Sequence, residues 1–191
     1  MDRISWPEAL SLAQIDIFPA QAKNPALGIF SRIIFRYAEP WKTRIMSTTP
    51  DLLSLGRRIL AEQPFSTLLG AELTAFESGR AELRLPIRHE FKQQFGFVHG
   101  GAVSYLADNA LTYAGGSVMP GQAVVTSEFK INYLRPAQGD ALLARASVIH
   151  AGKTQIVCRC DVFAVTGPEE KLCATAQGTI APLGTAASNG N

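Results

Sequence analysis

Residues 93–115 read Gln-Gln-Phe-Gly-Phe-Val-His-Gly-Gly-Ala-Val-Ser-Tyr-Leu-Ala-Asp-Asn-Ala-Leu-Thr-Tyr-Ala-Gly. From Gly100 onward the apolar residues recur at the spacing of one face of a helix, which predicts a helix from Gly100 to about Gly115. The Gly115-Gly116 pair predicts its end. The apolar positions of this face are Val103, Leu106, Ala107, Ala110, Leu111 and Ala114.

Two glycines, Gly100 and Gly101, lie where this helix begins. Backbone N–H groups in the first turn of a helix lack partners and lie at the positive end of the helix dipole. Glycine lets a ligand approach that backbone closely. The pattern is therefore suited to a carbonyl oxygen that gains negative charge. The alternative is that His-Gly-Gly is only a turn into the helix.

Three polar residues, Ser104, Asp108 and Thr112, follow each other at intervals of four along the same helix. They form one polar row on an otherwise apolar helix, and Asp has a poor intrinsic helix propensity. If a sheet wraps this helix, the row must face a site or a subunit interface. A plain solvated face is the alternative.

Asp108 follows Gly100 by eight residues, a rise of about 12 Å along a helix. A short carboxylate cannot cross that distance along its own helix. If both residues serve the same carbonyl carbon, they must come from different chains. An antiparallel pair of these helices across a two-fold axis would provide two equivalent sites per dimer.

The chain on either side of this helix predicts an α+β fold, one long central helix embraced by an antiparallel sheet of five or six strands. Asp51 is a predicted N-cap for a helix to about Ala61, and residues 87–98 read as irregular. In the strand that ends at Pro136, strict alternation places Thr126 and Phe129 on opposite faces. The predicted strands are 68–77 and 79–86 around the turn Ser78-Gly79, then 125–133, 141–150, 154–165 and 171–181.

The length of 191 residues and an apolar fraction of 47% predict one domain with a sizeable core. Residues 1–45 show no sustained periodicity and no secretory signal, so they read as an extension of uncertain status before a domain at 46–191. The net charge of +2 arises in that extension, which has six basic and four acidic side chains, whereas the rest has twelve of each. Neither nucleic acid nor a membrane span is indicated. Three cysteines are too few and odd in number for a disulfide framework, so a reducing cytoplasm is the expected compartment.

The segment resembles the PaaI-like acyl-CoA thioesterases of the hot-dog-fold superfamily. Their pattern has an amide residue, then G-x-x-H-G-G, then L-A-D on the helix, which is matched here by Gln93, Gly96, His99-Gly100-Gly101 and Leu106-Ala107-Asp108. Residues 132–137 resemble the end of a family strand, and Gly152-Lys153 fits the next hairpin. The resemblance covers about 52–183.

The resemblance implies a role for each matching residue. Asp108 matches the catalytic acid, as general base to water or as direct nucleophile. Gly100 matches the residue whose N–H polarises the thioester carbonyl. Gln93 would hold the carbonyl or water, and Thr126 would orient the attacking water. His99 would either shape the turn or touch the thioester.

Coenzyme A, as part of the substrate, requires groups that bind phosphate, and no separate cofactor or metal is implied. Gly101 and Thr112 adjoin the site, while the basic candidates are Arg88, Lys92, Arg135 and Lys153, each with a surface role as the alternative. Phe95, Phe97 and Tyr113 would line an acyl slot or, more simply, belong to the core. The three cysteines read as small buried hydrophobes.

Two other functions are consistent with the sequence. A hot-dog enoyl-CoA hydratase or dehydratase would need a His that faces the substrate, paired with an acid. A non-catalytic acyl-CoA binding module would bind without turnover. The acyl group, dimer versus tetramer, and the base or nucleophile role of Asp108 are not fixed by the sequence.

Overall fold

The computed structural model describes residues 51–183, so the predictions for residues 1–45 lie outside the described part. Within it the α-helices are α1 (Leu52–Ala61), α2 (Pro64–Leu69) and α3 (Gly100–Gly116), and one turn of 3-10 helix, His89–Phe91, lies in the segment predicted to be irregular. Asp51 caps α1 as predicted, because its side chain accepts a hydrogen bond from the Leu53 N–H at 3.2 Å.

The short helix α2 corrects the prediction of a strand from residue 68. Pro64 opens this helix, where its missing N–H costs nothing, and Gly70 ends it with a φ of 74°. The first strand therefore begins only at Glu72. Six residues made too short a helical pattern to stand out from the strand pattern beside it.

Six antiparallel strands form one sheet in the order β1-β2-β4-β5-β6-β3. The last three strands along the chain pair in sequence order as a meander, and β3 lies at the edge beside β6. The strands are β1 (Glu72–Glu77), β2 (Arg80–Pro86), β3 (Val124–Tyr133), β4 (Ala141–Ala151), β5 (Ile156–Thr166) and β6 (Glu169–Pro182). The predicted α+β architecture is confirmed, with six strands.

Helix α3 packs lengthwise on the sheet through its predicted apolar face. Leu106, Ala107, Ala110, Leu111 and Ala114 have no exposed surface. Small residues bring the helix close to the strands. A Cβ on Gly115 would lie only 2.7 Å from the Ile180 side chain, and such a contact is closer than packed atoms tolerate. The polar row of α3, by contrast, is only partly buried at Ser104, Asp108 and Thr112.

A β-bulge in β3 corrects the predicted alternation of that strand. The pairing with β6 shifts between Thr126 and Glu128, so Thr126 and Phe129 both point to the helix side instead of opposite sides. Gly178 permits the bulge, because a Cβ there would lie 2.7 Å from Phe129 Cβ and 2.8 Å from the Glu128 carbonyl oxygen. A bulge adds one residue without changing composition, so alternation alone did not reveal it.

The cysteines are buried and unpaired, as predicted. Burial raises the pKa of the Cys158 and Cys173 thiols to about 11 and also raises the pKa of Cys160. These thiols therefore act as packing groups. Within residues 51–183, none of the helices has the length and apolar character needed to span a bilayer.

Candidate active site

The Asp108 carboxylate is the most unusual polar group of the described structure. Its Oδ1 atom is buried, and no donor among residues 51–183 bonds to it. Asp108 lines an open cavity of about 660 Å³ together with Gly101, Ser104 and Thr112. The predicted polar row therefore faces a cavity. A buried acceptor without a partner is costly and usually has a functional reason.

Two threonines connect α3 to the bulge of β3. The hydroxyls of Thr112 and Thr126 lie 2.7 Å apart, and Thr112 also donates to the Asp108 carbonyl oxygen at 2.9 Å. Thr126 is thus held one helical turn from Asp108. The bulge turns Thr126 toward the helix, but Thr126 does not line the cavity of Asp108, and its role in orienting water stays a prediction.

His99 caps α3. Its Nδ1 accepts a hydrogen bond from the Gly101 N–H at 2.9 Å, which makes Nδ1 an acceptor and puts the proton of a neutral ring on Nε2. A Cβ on Gly101 would lie 2.9 Å from that Nδ1, so the capped turn needs glycine there. These contacts support the prediction that His99 shapes the turn.

Gly100 presents its backbone N–H at the start of α3, and no carbonyl or side chain of residues 51–183 accepts from it. Gly100 lines a second cavity, of about 420 Å³, with Gln93, Phe97, Tyr133 and Arg135. Tyr133 closes over the glycine and donates a hydrogen bond to the Gly100 carbonyl oxygen at 3.1 Å. Asp108 does not line this second cavity.

Within one chain, two cavities divide part of the predicted site. Asp108 lines the first, with Thr112, a predicted substrate-binding residue, whereas Gln93 and Gly100 line the second. The other two predicted catalytic residues, His99 and Thr126, line neither cavity. This division fits the helical rise of about 12 Å between Gly100 and Asp108. A site that uses both groups needs a second chain.

The basic candidates lie in different places. Arg135 lines the second cavity and is exposed, whereas Lys92 and Lys153 are exposed and line neither cavity. Arg88 has structural contacts, because its Nη2 donates to the Leu68 carbonyl oxygen at 2.9 Å and its guanidinium lies 4.5 Å from the Phe91 ring centroid. Their predicted binding of coenzyme A stays a prediction.

The aromatic candidates for the acyl slot also lie in different environments. Phe97 lines the second cavity, and Phe95 is exposed. Tyr113 belongs to the core, where it packs against Phe76 and donates to the Gly56 carbonyl oxygen at 3.2 Å. Burial raises the pKa of Tyr113 to about 12.

Sequence reasoning missed part of the wall of the first cavity. Phe65 and Ser66 come from α2, which was not predicted, and Phe129 reaches the cavity because of the bulge. Tyr105 and Asn109 also line it. One signal was available for Asn109, since a polar residue directly after Asp108 interrupts the apolar face of α3. The described residues contain no cluster of three or more His, Cys, Asp or Glu side chains that would hold a metal.

One long helix enclosed by a six-stranded antiparallel sheet, with an acid on the helix facing a cavity, defines a protein of the hot-dog thioesterase class. The family model of the thioesterase superfamily matches residues 95–171. A putative esterase of Haemophilus influenzae is 32% identical over 116 residues, which are 60% of this chain and 82% of that protein. This chain belongs to the thioesterase superfamily.

Two further relatives agree with that assignment and with the predicted resemblance. The acyl-coenzyme A thioesterase PaaI of Escherichia coli is 36% identical over 86 residues, which cover 44% of this chain and 60% of PaaI. The crystal structure of a thioesterase family protein from Silicibacter pomeroyi superposes with a TM-score of 0.64 at 39% identity, over 66% of this chain and 94% of that one.

Proposed function

We propose that this protein hydrolyses acyl-CoA thioesters to free acid and coenzyme A. The observation that carries the proposal is the buried Asp108 Oδ1, which has no hydrogen-bond partner in residues 51–183 and belongs to a cavity-lining residue. Membership of the thioesterase superfamily and the name of the PaaI relative support a CoA thioester as substrate.

In this mechanism Asp108 acts on the thioester carbonyl carbon in one of two ways. As general base it takes a proton from water, which attacks the carbonyl. As nucleophile it attacks directly, and water then hydrolyses the mixed anhydride. In both routes the C–S bond breaks and the thiol of coenzyme A leaves with a proton. Thr126, held by Thr112, orients the water.

The Gly100 N–H stabilises the negative charge that develops on the carbonyl oxygen, and the dipole of α3 adds to this effect. Because Asp108 and Gly100 line different cavities of one chain, we assign the Gly100 to the partner chain of a dimer, with Gln93 beside it. The enzyme then needs self-association, to a dimer or a tetramer, and no cofactor besides the CoA of its substrate. The cytoplasm remains its predicted compartment.

The contacts of His99 favour hydrolysis over the hydratase alternative. A hydratase would use a His paired with an acid, but the Nδ1 of His99 accepts from the Gly101 N–H, and no carboxylate of residues 51–183 bonds to this ring. An assay of an enoyl-CoA beside a saturated acyl-CoA discriminates the two reactions.

The test is Asp108→Asn, assayed against short, medium, long and aromatic acyl-CoAs. Asparagine keeps the shape of the side chain but removes the base and the nucleophile, so hydrolysis should fall by on the order of 10² or more. The control is Ser104→Ala, which changes the same polar row and should keep the activity within a few-fold. Near-normal hydrolysis by a folded Asp108→Asn protein would reject the mechanism, and binding without turnover by the wild type would indicate a binding module.

A further inference from the structure

The peptide group between Gly100 and Gly101 is held at both ends by side chains. Its N–H, which belongs to Gly101, donates to His99 Nδ1 at 2.9 Å, and its C=O, which belongs to Gly100, accepts from the Tyr133 hydroxyl at 3.1 Å. His99 directly precedes α3, whereas Tyr133 is the last residue of the edge strand β3. These bonds attach the first turn of α3 to the sheet. We call the two hydrogen bonds the peptide clamp.

The Gly100 N–H lies between two anchored parts of the backbone. The peptide clamp holds the peptide group that follows it, and before it the His99 N–H donates to the Phe91 carbonyl oxygen at 2.7 Å. Such anchoring is needed here, because helix ends fray and glycine loses more conformational freedom on folding than any other residue. Without it, two consecutive glycines would let the free N–H change its direction.

The ring of Tyr133 also packs against Gly100. A Cβ on Gly100 would lie 3.4 Å from both the Cζ atom and the hydroxyl oxygen of Tyr133. Tyr133 lines the same cavity as Gly100 and Gln93, yet 54% of its surface is exposed. A ring this exposed adds little to the core, and one hydrogen bond open to water adds little to stability. The position of Tyr133 therefore fits a role at the site better than a role in packing.

We propose that Tyr133 is a positioning residue for hydrolysis, whose hydroxyl holds the Gly100–Gly101 peptide so that the Gly100 N–H points at the thioester carbonyl oxygen. This inference rests on the proposed function. A donor stabilises an oxyanion best when it is oriented before the reaction, since no free energy is then spent on turning it in the transition state. Because the charge on that oxygen develops only in the transition state, loss of the Tyr133 bond lowers kcat and has little effect on KM.

The experiment compares Tyr133→Phe with wild-type protein on the acyl-CoA that the wild type hydrolyses best. Phenylalanine keeps the ring against Gly100 and removes only the hydroxyl. We expect kcat to fall by about five- to tenfold, the usual size of one hydrogen bond, and KM to change by less than about twofold. The matched control is Tyr113→Phe, which deletes the hydroxyl of a core tyrosine that lines neither cavity. It should leave both constants unchanged in folded protein.

A substrate analogue without the carbonyl separates positioning from direct contact. In an S-alkyl-CoA thioether of the same chain length, a methylene group replaces the carbonyl, so the Gly100 N–H has no oxygen to bind. This thioether should inhibit wild-type protein and Tyr133→Phe with equal inhibition constants. If Tyr133 instead contacts the substrate itself, the inhibition constant should rise in the variant together with KM.

Three results would overturn the inference. An unchanged kcat in folded Tyr133→Phe would do so, as would weaker inhibition of that variant by the thioether. An equal fall of kcat in Tyr113→Phe would also do so, because it would assign the effect to stability. Each of these results leaves the proposed function intact if Asp108→Asn has lost hydrolysis. If wild-type protein hydrolyses no acyl-CoA at all, the proposed function fails and this inference fails with it.

Discussion

At the scale of single residues, Asp108 is a side chain whose burial is energetically unfavourable. Its Oδ1 is buried without a donor among residues 51–183, in the middle of a helix that otherwise packs efficiently. Such a group lowers stability, and stability is commonly sacrificed in this way at active sites. The neighbouring contacts each satisfy a backbone or hydroxyl group but leave this oxygen without a donor among residues 51–183.

Asp108→Asn should therefore have opposite effects on catalytic activity and on the stability of the fold. An amide removes the charge whose solvation was lost, so the free energy of unfolding should rise by about 1 kcal/mol while hydrolysis falls. Urea denaturation of both proteins, followed by circular dichroism, measures the difference. A variant that loses activity and also loses stability would indicate that Asp108 is a structural residue.

His99 should act through its cap and not through chemistry. His99→Ala removes the acceptor for the Gly101 N–H, which should lower the free energy of unfolding by about 1 kcal/mol. His99→Asn supplies a new capping oxygen and should recover most of that loss along with hydrolysis. Stability restored with hydrolysis still impaired would instead assign His99 a direct role at the thioester.

At the scale of elements, the strongly periodic segments were predictable from the sequence, but the irregular ones were not. A sustained period of apolar residues identifies the helix from Gly100 and the strands β4, β5 and β6 in the sequence. Helix α2 is too short to give a clear helical pattern, and the bulge at Thr126 does not change the residue composition of its strand. Both shape the cavity, so the Asp108 position was predictable but its aromatic surroundings were not.

The bulge depends on Gly178. In Gly178→Ala the new methyl group would meet Phe129 and the Glu128 carbonyl, so the free energy of unfolding should fall by about 1–3 kcal/mol. Gln177→Ala, at an exposed position of the same strand, should change it by less than about 0.5 kcal/mol. Equal stability of the two variants would mean that the strand accommodates the methyl group by shifting.

At the scale of the whole molecule, the described sheet and helix enclose the three cysteines of the chain. A thiolate is the reactive form, and burial raises the pKa of Cys158 and Cys173 to about 11. At pH 8 the native protein should resist labelling by a thiol reagent such as DTNB, and three thiols per chain should react in denaturant. Fast labelling of the native protein would show that the core opens readily.

The net charge of the chain is unevenly distributed between residues 1–45 and the remainder. The excess of two basic residues belongs to residues 1–45, and the remainder of the chain is electrically balanced. Under the proposed function, attraction of the coenzyme A phosphates to residues 46–191 would depend on where individual basic residues lie and not on net charge. Arg135 is the basic candidate that lines a cavity, so it is the first position to test for CoA affinity.

The central claim is that one site combines Asp108 of one chain with the Gly100 N–H of the other. Two variants isolate these contributions. Asp108→Asn removes the acid. Gly100→Pro removes the N–H at the first helical position, where proline is tolerated and the extended backbone of His99 is compatible with it. Gly100→Ala, which retains the N–H and adds a methyl group 3.4 Å from the Tyr133 ring, should keep more activity than Gly100→Pro and is the control.

The most direct measurement mixes the two inactive variants under conditions that exchange chains and assays acyl-CoA hydrolysis. A mixed dimer has one site with both groups intact, so random exchange of equal amounts should restore about a quarter of wild-type activity. If both groups belonged to the same chain, each site of the mixed dimer would contain one defect. No recovery of activity, in a mixture where mixed dimers are demonstrated, would contradict the account.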